Sequence, residues 1–120
     1  MPRFRHFSFV GKPLAALNRM ILVITRIKVL SDKRRELAQT ITSLSDFTRM
    51  EKGCRRCDFC RSFENENRFF LLEEWNTREN LMTHLKSEYF KVLRGTANLL
   101  EEPYERSFHT VFRPSKMEET

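Results

Sequence analysis

The chain has 120 residues, 40% of them apolar, with eleven phenylalanines and a net charge of +6. This length indicates one domain, with enough apolar side chains for a core. No apolar run reaches the ~20 residues of a membrane helix, and the charges are interspersed rather than striped, which excludes a membrane span and argues against a nucleic-acid partner.

Residues 1–19 differ in composition from the rest of the chain. They contain four basic residues and no acidic one. Lys12 breaks their apolar stretch, so they make a poor signal peptide. We expect residues 1–19 to be a dispensable basic extension, with a targeting or partner-binding arm as the alternative. A domain over residues 20–113 and a polar tail over residues 114–120 would follow.

The first part of this domain predicts a strand followed by a helix. Residues 21–29 are almost all apolar and many are β-branched, which is typical of a strand buried on both faces. Ser31 and Asp32 then provide an N-cap and a favourable acid in the first turn. Apolar residues recur at three- and four-residue spacing up to Gly53, the expected helix stop. They form one helix face: Leu37, Ile41, Leu44, Phe47 and Met50.

The second part predicts a β-hairpin, a helical region and a last strand. Residues 54–64 and 69–75 have strand character and are joined by a short polar turn. Thr77 is the expected cap of the next helix, and a kink is expected near Ser87. Residues 104–112 predict the fourth strand.

The predicted order of elements is β-α-β-β-α-β, the split βαβ arrangement of a ferredoxin-like α+β domain. Four antiparallel strands would carry the helices on one face of the sheet. Because the first strand is apolar on both sides, the other face also needs a cover, and the chain has no second layer to provide it. We therefore expect a homodimer, a dimeric α/β barrel in which the two sheets pack face to face.

Three cysteines, Cys54, Cys57 and Cys60, are spaced as in some metal sites. On a strand, Cys57 would face one side and the other two the opposite side, with neighbours about 10 Å apart. This geometry predicts neither a disulfide nor a metal site. Cys57 is instead expected beside Phe59 and Phe63, in the core or lining a pocket. An odd, clustered set of cysteines favours a reducing, cytoplasmic location.

Several motifs resemble those of the antibiotic biosynthesis monooxygenase domain, a family of dimeric α+β barrels that includes small quinol monooxygenases. The motifs are Gly53-Cys54, Glu73-Glu74-Trp75 and His84-Leu85-x-Ser87-x-x-Phe90. The resemblance covers about residues 20–113. It implies a pocket between sheet and helices that binds planar phenols or quinols. Because the family also contains haem-degrading enzymes, an isomerase and members with no assigned reaction, the reaction does not follow from the resemblance.

The haem-degrading branch of the family does not fit this sequence. That branch has an Asn on the first strand, a Trp ending the third, and a His just after the Phe of the second helix. Trp75 matches, but Thr25 stands at the first-strand position and Lys91 follows Phe90. The sequence therefore argues against haem degradation. We expect no cofactor, because a glycine-rich phosphate loop or a nicotinamide or flavin fingerprint is also missing.

His84 is the candidate catalytic base. An imidazole can accept the proton of a phenol or enol near neutral pH, which makes the ring electron-rich enough to react with oxygen. The position also matches the helix histidine of the resembled family. The alternative is a structural histidine with hydrogen bonds of its own.

The candidate substrate contacts surround this histidine in the resembled pocket. Trp75 ends a strand where its indole could line a pocket, although packing is the commoner role of a lone Trp. Glu73 and Glu74 are adjacent on a strand and must face opposite sides, so we expect them to be structural rather than a catalytic pair. The full set of predicted contacts is Trp75, Phe90, Cys57, Tyr89, Thr25 and Arg26.

The sequence predicts a cofactor-independent monooxygenase that acts on a small aromatic or quinol-like compound. Two alternatives are open: a non-catalytic dimer that binds a small ligand, and an isomerase of a small carbonyl signal that uses His84 as a proton shuttle. Oxygen consumption separates the monooxygenase from the isomerase. Binding without turnover would identify the ligand-binding protein.

Overall fold

The computed structural model describes residues 19–112. In this part of the chain the order of elements confirms the predicted ferredoxin-like α+β fold. The elements are β1 (Arg19–Lys28), α1 (Arg34–Arg49), β2 (Cys54–Arg61), β3 (Arg68–Trp75), α2 (Arg78–Leu85), α3 (Glu88–Arg94) and β4 (Glu105–Phe112), with 3₁₀ turns at Ser31–Lys33 and Ala97–Leu99. The expectations for residues 1–18 and 114–120 lie outside the described residues.

The strands form one antiparallel sheet in the order β2-β3-β1-β4. The central strand β1 places Val23 opposite Glu73 of β3 and Thr25 opposite Arg106 of β4. Directly opposed side chains of antiparallel strands lie on the same face of the sheet. Glu73, Thr25 and Arg106 therefore all lie on the face that carries the helices.

The main core fills the space between this face of the sheet and helices α1 and α3. Its buried members are Ile27, Val29, Leu37, Ile41, Leu44, Cys57, Phe69, Leu71, Leu93, Leu99 and Leu100. A smaller apolar cluster lies beside it under α2 and consists of Val23, Trp75 and Leu81. The buried polar residues described below border both clusters.

Near its C-terminal end, α1 buries different residues from those that were predicted. Phe47 and Met50, predicted to be buried, are exposed. Ser45 and Thr48 continue the buried face instead. They can do so because their hydroxyls donate to the carbonyls of Ile41 and Leu44 within the helix, which leaves no polar group unpaired.

The start of β2 contains a β-bulge that the sequence analysis did not anticipate. The register shift places Cys54 opposite Trp75 and Cys57 opposite Glu73. Both cysteines therefore face the helices, and Cys60 faces the other side. The prediction that Cys54 and Cys60 share a face was wrong, because the extra residue of the bulge changes the alternation of side chains.

The end of β2 also differs from its prediction. The strand stops at Arg61 rather than at residue 64. Phe63, expected on the same face as Cys57, lies beyond this end and is fully exposed.

The helical region after β3 consists of two capped helices that meet near Ser87, where a kink was expected. The Thr77 hydroxyl accepts a hydrogen bond from the Asn80 backbone N–H (3.1 Å) at the start of α2. The Ser87 hydroxyl accepts one from the Phe90 backbone N–H (3.2 Å) and starts α3. The helix is therefore interrupted near Ser87. The Ser87 cap starts α3 at Glu88 and so places Phe90 in the first turn of that helix.

The outer face of the sheet is apolar along its two central strands. Leu22 and Ile24 of β1 and Phe70 and Leu72 of β3 lie there, and all four are half-buried in the single chain. Both faces of β1 are thus apolar, as predicted. No helix within residues 19–112 is both long and apolar enough to cross a membrane.

Candidate functional site

His84 is buried on the inner side of α2, where it contacts two carboxylates. Its Nδ1 lies 2.9 Å from Glu51 Oε1, and its Nε2 lies 3.3 Å from Glu73 Oε1. Only 3% of the residue is exposed. The candidate base is therefore held between two acids, one in the turn after α1 and one on β3, and is not a histidine of the helix surface.

Glu73 is the central acceptor of this cluster. The Trp75 indole N–H donates to its Oε1 over 3.1 Å, and an Arg106 N–H donates to its Oε2 over 3.5 Å. Together with His84 these groups surround a carboxylate that is only 1% exposed. A buried carboxylate needs such compensation, because leaving it unpaired away from water costs several kcal/mol.

Glu74, the neighbour of Glu73 in sequence, lies on the opposite side of the sheet. There its Oε2 is 3.6 Å from Nη1 of Arg56. Strand alternation therefore separates the two carboxylates, as the sequence analysis reasoned. Glu73 contacts the imidazole of His84 directly, so the two acids have different surroundings.

The two carboxylates restrict the positions of the protons around His84. A neutral imidazole has one N–H and can donate to only one of them. The contact with hydrogen-bond geometry is the one between Nδ1 and Glu51 (2.9 Å), whereas Nε2 lies within ion-pair distance of Glu73 (3.3 Å). The Glu51 side chain, 19% exposed, is the end of the cluster nearer to solvent.

Arg106 of β4 extends the cluster on its other side. Its Nε donates to the Thr25 hydroxyl over 3.0 Å, and its guanidinium lies 4.6 Å from the centre of the Phe90 ring and 5.8 Å from that of Tyr104. Burial lowers the pKa of Arg106, and the charge of Glu73 opposes this shift. Its Nη1 is buried and has no hydrogen-bond partner within the described part of the chain.

Aromatic rings enclose the imidazole. The Trp75 and His84 ring centres are 4.7 Å apart, and the Phe90 ring meets His84 edge-on at 6.0 Å. Trp75 ends β3, and Phe90 lies in the first turn of α3. Two elements on either side of α2 in the chain, β3 and α3, therefore supply the two rings that contact His84.

Two of the predicted contact residues lie elsewhere. Arg26 is exposed on the outer face of the sheet, since it follows the inward-facing Thr25 by one residue. Tyr89 stacks on Phe47 at the surface, with ring centres 4.5 Å apart and planes 11° apart. Because neighbouring residues of a helix point about 100° apart, Tyr89 cannot share the direction of Phe90. We therefore withdraw Arg26 and Tyr89 from the candidate site.

Cys57 and Cys54 border the cluster from β2. Burial is the main reason why the pKa of Cys57 rises to about 12 and that of Cys54 to about 11, and the charge of Glu73 adds to both shifts. Such thiols stay protonated and are poor nucleophiles. Within residues 19–112 no group of three or more His, Cys, Asp or Glu side chains is placed to hold a metal ion.

Two cavities of ligand size lie in the described part of the chain, and His84 lines neither of them. One of about 440 Å³ lies between α2 and β4, with Leu81, Leu85 and Phe108 in its wall. Another of about 540 Å³ lies between α1 and β2, with Arg35 and Phe59 in its wall. Trp75, Glu73 and His84 are each at most 3% exposed, so the cluster itself is buried.

Glu51 and Arg106 were not predicted from the sequence to belong to the site. Arg106 could have been identified from the alternation of β4, which makes it the one inward-facing charge on a strand beside Thr25. Glu51 gave no such signal, because it lies in a turn whose local sequence does not show what it faces.

The sequence matches the family model for antibiotic biosynthesis monooxygenase over residues 20–95, more than half of the chain. The protein belongs to this family. The matched stretch includes Glu51, Glu73, Trp75 and His84, whereas Arg106 lies beyond it. No curated protein matches the sequence.

Solved structures with the same fold come from several prokaryotes. A conserved protein from Methanosarcina mazei Go1 is 26% identical, with a TM-score of 0.74 over 77% of this chain and 92% of its own. A provisionally assigned antibiotic biosynthesis monooxygenase from Nitrosomonas europaea is 22% identical, with a TM-score of 0.75 over 81% and 94%. Rv0793 from Mycobacterium tuberculosis is 24% identical, with a TM-score of 0.74 over 81% and 99%. These likenesses establish the fold.

Proposed function

We propose that the protein is a cofactor-independent monooxygenase that oxidises a small aromatic or quinol-like compound. Membership of the antibiotic biosynthesis monooxygenase family gives the general class. The observation that supports catalysis is the position of His84, which contacts Glu51 and Glu73 and lies against the Trp75 and Phe90 rings. A group that can accept a proton is thereby placed beside surfaces suited to a planar ring.

The proposed reaction converts a phenol and O₂ into a quinone and water. The phenolic proton passes to the Glu73–His84–Glu51 cluster, and a hydrogen-bearing ring carbon ortho or para to the phenolate oxygen forms a bond to O₂. The cluster returns the proton to the peroxide. The carbon–hydrogen and oxygen–oxygen bonds then break and water leaves, so that one oxygen atom stays on the ring. The substrate loses four electrons and O₂ accepts four.

Glu51 gives this cluster a connection to solvent. Its side chain is the most exposed of the three groups and contacts the imidazole at the nitrogen opposite to Glu73. Protons can therefore move between water and the buried carboxylate through one imidazole, a role for which histidine is well suited. Access of the substrate requires the region of Phe90 to open.

Oxygen uptake with a panel of hydroquinones and naphthols tests this proposal. We expect protein-dependent uptake, with one atom of ¹⁸O₂ in the product, and a loss of about 10²-fold or more in rate for His84→Ala. His109→Ala is the matched control, because His109 is an exposed histidine on the outer face of the sheet, where its Nε2 lies 3.1 Å from the Ser107 hydroxyl. A His84→Ala variant that keeps the wild-type rate would rule out the assignment.

One observation favours the non-catalytic alternative, a dimer that binds a small ligand. Both nitrogens of His84 are engaged by carboxylates, as in a structural histidine. Saturable binding without oxygen uptake or product formation would identify this function. Conversion of a carbonyl ligand without oxygen uptake would identify the isomerase.

We also propose that the protein is a cytoplasmic homodimer. The half-buried apolar side chains on the outer sheet face, Leu22, Ile24, Phe70 and Leu72, support a second copy as their cover. The three cysteines are free thiols, which is consistent with a reducing compartment.

A further inference from the structure

Arg106 carries a donor that the fold does not use. The side chain is only 8% exposed, and two of its three guanidinium nitrogens are held, Nε by Thr25 and Nη2 by Glu73. The third, Nη1, is buried without a hydrogen-bond partner in the described part of the chain. Buried donors are nearly always paired, so an unpaired donor in a candidate site points to a ligand that binds there and accepts its hydrogen bond.

We infer that the ligand of this site is an aromatic compound with an acidic oxygen, a phenolate or a carboxylate, that binds Nη1 of Arg106. This inference rests on the proposed function in one respect, since it takes the His84 cluster to be the ligand site. It adds the class of ligand and a binding residue that lies outside the matched family segment.

The fixed orientation of the guanidinium supports this inference. Contacts to Thr25 and Glu73 hold two edges of a planar group, so the direction of the remaining N–H groups is set before a ligand arrives. An arginine held in this way offers a charge-assisted hydrogen bond to an anionic oxygen without losing further side-chain freedom. A neutral ligand would gain less from the same contact.

The Phe90 ring marks where the aromatic part of the ligand would lie. Its centre is 4.6 Å from the Arg106 guanidinium and 6.0 Å from the His84 ring, between the unused donor and the imidazole. The Arg106 guanidinium beside this ring favours an electron-rich or anionic occupant over a neutral one. A ligand that displaces Phe90 would therefore meet the Arg106 guanidinium.

Calorimetric titration with matched ligand pairs tests the inference. The pairs are 2-naphthol with 2-methoxynaphthalene, and 2-naphthoate with 2-naphthamide, so that each acid is compared with a neutral analogue of similar shape. We expect Arg106→Gln to weaken binding of an acid about tenfold or more and to change binding of its neutral analogue by about twofold or less. The pair that responds tells whether a phenolate or a carboxylate is recognised.

Two further variants keep the test decisive. Arg94→Gln also removes a guanidinium beside Phe90 but leaves the Glu73 contacts intact, so acids should bind it almost as they bind wild type. Arg106→Lys keeps the charge beside Glu73 but lacks the planar fork. If Arg106→Gln does not fold, Arg106→Lys takes its place in the test. It should bind the acids more weakly than wild type and the neutral analogues almost as wild type does.

Three results would overturn the inference. One is that wild type binds neither acid. Another is that Arg106→Gln, or Arg106→Lys in its place, weakens the binding of acids and of neutral analogues by the same factor. That result is expected if Nη1 only binds water. The last is that Arg94→Gln has the same effect as Arg106→Gln. If acids bind through Arg106 but no oxygen is consumed, the proposed function fails and the inference stands.

Discussion

At the scale of single residues, Glu73 and Glu74 show how one step along a strand changes the role of a side chain. Glu73 faces the helices and is bound by Trp75, Arg106 and His84, whereas Glu74 faces outward beside Arg56. The two acids are identical in chemistry and adjacent in the chain. Their different surroundings provide a matched pair for experiment.

The two inward-facing cysteines give a prediction about stability at high pH. Burial raises the pKa of Cys57 to about 12 and of Cys54 to about 11 from an ordinary value of 9.0. Above pH 9 the unfolded chain therefore loses these protons while the folded chain keeps them, so the free energy of unfolding falls as the pH rises. This stability is fully present below pH 9 and is lost progressively toward pH 12.

Urea denaturation at a series of pH values between 8 and 11 measures this effect. Cys57→Ala should show a shallower decrease than wild type, because one of the two thiols with a raised pKa is gone. Identical slopes for the two proteins would show that the Cys57 thiol does not contribute.

At the scale of elements, the turn between α1 and β2 depends on Gly53. Its φ of +84° is a conformation that other residues rarely adopt. A Cβ at this position would also lie 2.6 Å from Cβ of Asn80 in α2. The same turn carries Glu51, so its geometry sets the position of the acid that contacts His84.

We expect Gly53→Ala to destabilise the protein by about 1–3 kcal/mol, because the strained φ and the contact with Asn80 add together. Gly95→Ala is the control. Gly95 has an ordinary helical φ of −69°, and a Cβ there would lie 3.3 Å from the nearest described atom, the Val92 carbonyl oxygen. Its cost should stay below about 1 kcal/mol. Chemical denaturation compares the two variants, and equal costs would contradict this explanation.

At the scale of the whole molecule, the proposed homodimer depends on the outer face of the sheet. Ile24 lies near its centre, between Leu72 of β3 and Ser107 of β4. We expect wild type to be a dimer by light scattering and Ile24→Asp to be a monomer, because a carboxylate would be buried without a partner. Phe63→Asp alters a fully exposed aromatic residue in the turn after β2, outside the strands of the sheet, and should leave the dimer intact. A monomeric wild type at micromolar concentration would contradict the proposal.

The sequence was sufficient for the fold and for part of the site, and the reasons are physical. The apolar strand of residues 21–29, the hairpin and the cap at Thr77 are local signals, and local signals define elements. His84, Trp75 and Phe90 were found because motifs of a known family carry them. Glu51 was not found, because its contact with His84 joins residues that are 33 positions apart.

The errors have equally specific causes. One extra residue at the start of β2 moved Cys54 to the inner face, which the strict alternation of a regular strand did not allow for. Intrahelical hydrogen bonds let Ser45 and Thr48 take buried positions in place of Phe47 and Met50. Both effects depend on backbone detail that composition and periodicity do not encode.

The central claim is that the buried carboxylate–imidazole cluster carries out the reaction. The most direct test is oxygen uptake by Glu73→Gln and Glu74→Gln, which make the same chemical change on opposite faces of one strand. We predict that Glu73→Gln lowers kcat/KM by about 10²-fold or more while remaining folded by circular dichroism, and that Glu74→Gln stays within about twofold of wild type. Equal activity of the two variants would contradict the claim.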